Sequence, residues 1–138
     1  MAVAPLNKVK EVLDFAVTQI PADKINMGIP NSGYDWTLPF VQGVSKAQSI
    51  SNVQAVDIAR EAGVAIQFDE LAQSPFFNYY DEQWRQHEVW FEDARSIRAK
   101  LAQVPAYGFM GVGYWQLMRF FPQNWLVLNS LYDIEKVL

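Results

Sequence analysis

Two short apolar segments, far apart in the chain, are built alike and restrict the fold more than any other feature. Lys24-Ile-Asn-Met-Gly-Ile29 is stopped by Pro30, and Phe109-Met-Gly-Val-Gly-Tyr-Trp115 mixes apolar residues with glycines that allow close backbone approach. Apolar runs of this length between Pro and Gly read as buried strands. Each follows a helical pattern. Leu6, Val9, Leu13, Ala16, Val17 and Ile20 recur at helical spacing, predicting an amphipathic helix from Leu6 to about Gln19 that Pro21 ends. Ile97, Leu101 and Val104 mark a helix capped by Asp93 or Ser96, and Pro122 suits the first turn of a last helix holding Trp125, Leu126 and Leu128. The outer parts of the chain therefore read as α/β, with two parallel strands and flanking helices.

The middle of the chain has a different texture. Asn31-Ser-Gly33 reads as a turn and Tyr34 to Gln48 as a loop. Ser51-x-x-Gln54 is a capping box opening a helix whose inner stripe is Val53, Val56 and Ala59, with Gly63 at its left-handed end. Val64–Phe68, Pro75–Tyr80 and Gln86–Phe91 read as strands, the last two as a hairpin around Asp81-Glu82. The expected division is 1–33 and 94–138 for the α/β part, and 34–93 for an α+β insertion.

Charge and residue types exclude several functions. A net charge of −4 argues against nucleic acid, which needs a Lys/Arg field to displace counterions. No basic amphipathic helix or spanning apolar run points to a membrane. Met1-Ala-Val-Ala-Pro5 lacks the regions of a signal peptide, and the localisation is left open. With no Cys and a single His87, no metal site is expected, and no cofactor. A triad at His87 is unsupported, since no nucleophile is placed beside it.

Aromatic residues make up 14% of the chain. A Trp or Tyr ring offers a flat apolar face to a pyranose at little entropic cost. Trp36 and Trp115, each near small residues, are candidates for such a surface; the alternative for Trp115 is a core Trp on a buried strand. Tyr34 and Asp35 are candidates for the rim, or else turn residues. Asn31 and Ser32 carry groups that can bond a ligand or their own backbone. The run Phe76, Phe77, Tyr79 and Tyr80 reads mainly as core.

In this order Lys24–Trp36, Phe68–Tyr80, His87–Ser96, Gly111–Trp115 and Pro122-Gln-Asn-Trp125 resemble the C-terminal part of family 18 glycoside hydrolases, in the branch of spore-germination and cortex-fragment-lytic enzymes. The resemblance covers nearly the whole chain. It implies that 24–29 and 109–115 are the last two strands of a TIM-type β/α barrel, that 34–93 is the insertion such barrels carry, and that the setting is a bacterial cell wall or spore. It also implies a glycan containing N-acetylglucosamine as partner, with Asn31, Ser32, Tyr34, Asp35, Trp36, Trp115 and Gln116 near it. The family's acidic D-x-x-D-x-D-x-E sequence is missing; Asp133-Ile-Glu135 is the nearest match and fails upstream. That sequence carries the general acid, so no catalytic residue is assigned and the expectation is a noncatalytic fragment.

The remaining carboxylates do not replace it. Glu92 and Asp93 are adjacent on a strand end and face opposite ways. Glu88 and Glu92 stand roughly 13 Å apart along a strand, beyond the spacing of glycosidase pairs. Asp93 is expected to cap a helix with Arg95 or Arg98 as ion partner. Three residues depart from the family pattern: Ser32 where Tyr is usual, Trp84 where Gly is common, and Gln116 where Asn is common. Two strands cannot close a barrel, so a homo-oligomer paired through exposed strand edges is expected. The alternative function is a structural or engineered interaction module without a sugar role.

Overall fold

A computed structural model describes residues 1–116 and 118–135. Helix α1 (Leu6–Gln19) leads through a short 3₁₀ turn to β1 (Asn26–Pro30). Strands β2 (Ser32–Thr37) and β3 (Gln48–Ser51), helix α2 (Asn52–Glu61) and strands β4 (Gln67–Asp69), β5 (Ser74–Tyr80) and β6 (Gln86–Trp90) follow. Helices α3 (Ala94–Leu101) and α4 (Gln103–Tyr107), strand β7 (Gly111–Trp115) and helix α5 (Pro122–Leu131) complete the order. Among the described residues no helix is long and apolar enough to cross a membrane.

The strands form two sheets. β1 and β7 pair in parallel, with Gly28 beside Gly113 and Pro30 beside Trp115. The other five form an antiparallel sheet in the order β3-β2-β6-β5-β4. The α/β architecture is thus an open two-stranded parallel sheet with its helices, joined to a separate antiparallel sheet. Each part has its own core. Leu13, Met27, Ile29, Ile97, Leu101, Val104, Phe109 and Phe121 pack between the parallel strands and their helices. Ile50, Ala55, Ala59, Phe77, Val89 and Phe91 pack between α2 and the antiparallel sheet.

The sequence reading needs correction in several places; the helix read through Ile97, Leu101 and Val104 is two, α3 and α4, and Pro30 ends β1 from within it. Of the segment read as a turn at Asn31-Ser-Gly33 and the loop after it, Ser32–Thr37 is β2 instead, and Gln48 opens β3. Burial alternates without a break from Met27 to Asp35, the odd positions buried and the even ones open or half-open. One extended segment therefore passes from the first sheet into the second. Gly33 is there for close approach: a Cβ on it would lie 2.7 Å from the Trp90 carbonyl oxygen and 2.8 Å from the Phe91 Cβ. Strand β4 begins only at Gln67, and Ile66 is exposed. Helix α2 turns Asn52, Ala55 and Ala59 inward, while Val53 and Val56 are exposed. The phase is set by Asn52, whose buried Oδ1 accepts the Glu92 N–H at 2.9 Å.

The local signals hold well. Ser51 and Gln54 form the reciprocal capping box, and Gly63 has φ +64°. Asp93 caps α3, bonding the Arg95 and Ser96 amides, and Arg95 is its ion partner at 2.7 Å. Pro122 occupies the first turn of α5.

Candidate functional site

Because β1 and β7 pair in register, Asn26, Gly28 and Pro30 share a face with Gly111, Gly113 and Trp115. Opposite this face, Met27 and Ile29 are buried in the core. The paired glycines leave open space: a Cβ on Gly28 or Gly113 would meet nothing within 4 Å. Trp115 stands at the end of this face, 78% exposed. It is not a core residue of this chain. A large exposed ring beside small residues leaves its flat face free for a ligand.

Asn31 fixes the end of that strand. It is buried, and its Nδ2 donates to the carbonyls of Gln116 at 2.6 Å and Arg119 at 3.3 Å. Its Oδ1 accepts the Gln116 amide at 2.8 Å, and its own amide donates to the Trp115 carbonyl at 3.2 Å. Every polar group of the side chain is thus spent on the backbone just after Trp115. Arg119 continues the link, donating to the Ile50 carbonyl at 2.7 Å and the Ser49 hydroxyl at 2.9 Å. Gln116 itself is exposed.

Beyond Asn31 the even-numbered face continues onto β2 as Ser32, Tyr34 and Trp36. Tyr34 and Trp36 meet edge to face with centroids 5.9 Å apart, and Phe40 contacts Trp36 in the same way at 5.4 Å. The antiparallel register places Trp90 beside Tyr34 and Phe76 beside Trp90, and the last two rings stack at 4.7 Å. An open cleft of about 450 Å³ lies here, lined by Tyr34, Trp36, Trp90, Asp69 and Leu71 with the first residues of the chain. The Trp36 indole N–H donates to the Met1 carbonyl at 3.1 Å.

Asp35 points the other way and is 6% exposed. Its Oδ1 lies 2.7 Å from His87 Nδ1, and its Oδ2 accepts the Tyr79 hydroxyl at 2.7 Å. Burial, then the bond to Asp35, pushes the Tyr79 phenol well above its usual range. Both oxygens of Asp35 are thus occupied within the insertion sheet, rather than free at a rim. His87 is a strand residue bonded inside the insertion, as expected, and its Nε2 lies 3.3 Å from Asp81.

Glu92 is the buried carboxylate that sequence reasoning placed as structural without finding its partner. Its Oε2 takes the Lys100 ammonium at 2.9 Å and the Ser96 hydroxyl at 2.6 Å, and all three residues are buried. Burial pushes its carboxyl upward, against the opposing pull of Lys100. The i, i+4 and i+8 spacing of Glu92, Ser96 and Lys100 was the available signal. Trp90 was also missed as part of the aromatic face, although its strand position relative to Glu88 and Glu92 was legible.

Residues 3–119 match the model of the glycosyl hydrolases family 18. The chain is 47% identical, over 98% of its length, to the cortical fragment-lytic enzyme of Bacillus subtilis, and covers 31% of that protein. It superposes on the spore cortex-lytic enzyme SleL of Bacillus megaterium with a TM-score of 0.93 and 49% identity, covering 100% of this chain and 32% of that one. A chitinase from Chromobacterium violaceum matches with a TM-score of 0.86 and 30% identity, over 94% of this chain and 39% of that chain. The chain thus spans about a third of the length of the curated relatives it matches. With a family model matching most of its residues, this chain belongs to family 18 of the glycosyl hydrolases.

Proposed function

We propose that this chain carries part of the groove of a glycosidase acting on N-acetylglucosamine-containing glycans of the peptidoglycan type. It supplies aromatic surface rather than the proton donor. The observation that carries the reading is Trp115, exposed on the glycine-lined face of β7 and held from behind by Asn31. Ser32, Tyr34, Trp36 and Gln116 extend this surface. Asp35 contributes by fixing β2 through His87 and Tyr79. The names of the relatives, a cortical fragment-lytic enzyme and a spore cortex-lytic enzyme, support the substrate class. On this reading residues 1–33 and 94–138 are barrel segment and 34–93 the insertion.

The chemistry supports assigning no catalytic role. Glu92 is sealed against Lys100, and Asp35 against His87 and Tyr79. Neither is placed to protonate a leaving oxygen, a step that contributes typically 10²–10⁴-fold in rate. Titration with chito-oligosaccharides, followed by Trp fluorescence, tests the reading. A saturable change that Trp115→Ala abolishes supports it; no response up to millimolar sugar refutes it.

The open flank of β1 supports a second part of the proposal. An apolar groove of about 340 Å³ there is lined by Val9, Val12, Leu13, Met27 and Gly28. Uncovered strand edges and apolar grooves associate, and the 138-residue chain by itself is expected to pair with further copies. Light scattering after size exclusion checks this, and a monomer at high concentration removes it.

A further inference from the structure

The tip of the β5–β6 hairpin holds an aromatic residue in an unfavourable place. Trp84 has φ +58° and its residue surface is 83% exposed. A bulky side chain in the left-handed region is a true outlier, and the surroundings must offset its strain. Burial does not offset it, since the ring is in solvent. The loop itself does. The Asp81 carboxylate accepts the amides of Gln83 and Arg85, each at 2.9 Å, and the Arg85 Nε at 2.6 Å. The Trp84 amide donates to the Asp81 carbonyl at 3.0 Å. These bonds brace the turn, and the ring faces solvent. Tyr80, 59% exposed, lies with its ring centroid 6.3 Å away.

Register places Tyr80 on the face that carries Tyr34 and Trp36, and the Trp84 ring lies beside it. Directly paired residues share a face of the sheet. Trp36 pairs with Glu88, Glu88 with Asn78, and two residues further along Gln86 pairs with Tyr80. Tyr80 is therefore two strands across and two residues along from Trp36, about 12 Å between Cα atoms by sheet geometry. Glu82, Gln83 and Gln86, close to the rings in sequence, are exposed polar residues, so the tip offers both the flat apolar face and the hydrogen-bonding groups that a sugar takes.

We propose that Trp84 and Tyr80 form a distal platform for the same glycan, engaging a remote residue of a long saccharide chain and contributing nothing to short ones. This rests on the groove reading above and deepens it: the ligand is a polymer rather than a di- or trisaccharide. The position also explains why a Trp is held where the backbone suits glycine.

The test compares the 138-residue chain with Trp84→Gly, Trp84→Phe and Tyr80→Ala, by calorimetric titration with chitobiose and chitohexaose. Trp84→Gly removes the left-handed strain, so it folds at least as well as the parent, and circular dichroism verifies this. We expect Trp84→Gly and Tyr80→Ala to weaken chitohexaose binding about five- to tenfold and leave chitobiose unchanged, with Trp84→Phe close to the parent. Binding of both sugars that Trp84→Gly leaves unaltered overturns the platform and preserves the groove. No binding of either sugar by the parent chain overturns both.

Discussion

The carboxamide of Asn31 grips Gln116 from both sides, donating to its carbonyl at 2.6 Å and accepting from its amide at 2.8 Å. Two residues 85 positions apart are thus joined at the ends of adjacent parallel strands, and Trp115 is the residue between that clamp and the ribbon. Removing the clamp leaves part-buried backbone groups of Gln116 and Arg119 without their protein partner, a loss of about 1 kcal/mol per bond. Asn31→Ala is expected to lower stability by about that amount in urea melts, and to weaken the sugar-dependent fluorescence change of Trp115 as well.

Trp115→Ala is expected to behave oppositely. The residue is largely exposed, and surface substitutions stay within about 0.5 kcal/mol. The urea midpoint should hardly move while the response to chito-oligosaccharide disappears. A collapse of stability instead would return Trp115 to the core role left open by the sequence.

Gly33→Ala tests the close approach of β2 to the end of β6. Its Cβ would enter space held by the Trp90 carbonyl and the Phe91 Cβ, at 2.7 and 2.8 Å. The obstacle is backbone and the root of a buried side chain, neither of which yields cheaply. A loss of about 1–3 kcal/mol is expected from overpacking, read as a lower urea midpoint with unchanged slope.

The buried pair of Glu92 and Lys100 predicts strong coupling. Lys100→Met leaves a carboxylate buried without its cation, and breaking such a pair costs about 3–5 kcal/mol. The double variant Lys100→Met, Glu92→Gln removes both charges and is expected to recover most of that loss. A double-mutant cycle from thermal melts measures the coupling, and simple additivity would contradict the pairing.

Acid should loosen the hairpin tip. Desolvation works against the Asp81 carboxylate, but the Arg85 and Gln83 amides and the Arg85 side chain outweigh it and hold the carboxyl down at about 2. A carboxyl depressed on folding stabilises above its unfolded value of roughly 4 and loses that contribution as pH falls toward 2. Trp84 fluorescence anisotropy should therefore drop between about pH 4 and pH 2, and Asp81→Asn should remove that step.

The sequence determined the local pieces. Helix starts at Ser51 and Asp93, the left-handed Gly63, and the β5–β6 hairpin follow from contacts within a few residues, so they were legible without a partner. The order of motifs sufficed for the family and the open α/β framework. The tertiary structure alone decided the course of residues 31–37. Gly33 and Asp35 carry no apolar signal, yet they are the buried positions of β2, because the space over Trp90 and the bonds from His87 and Tyr79 come from strands some 50 residues away. It decided likewise the phase of α2, set by Asn52 reaching Glu92, and the exposure of Trp115. Polar burial and close backbone approach depend on what lies across the sheet, and no local periodicity encodes that.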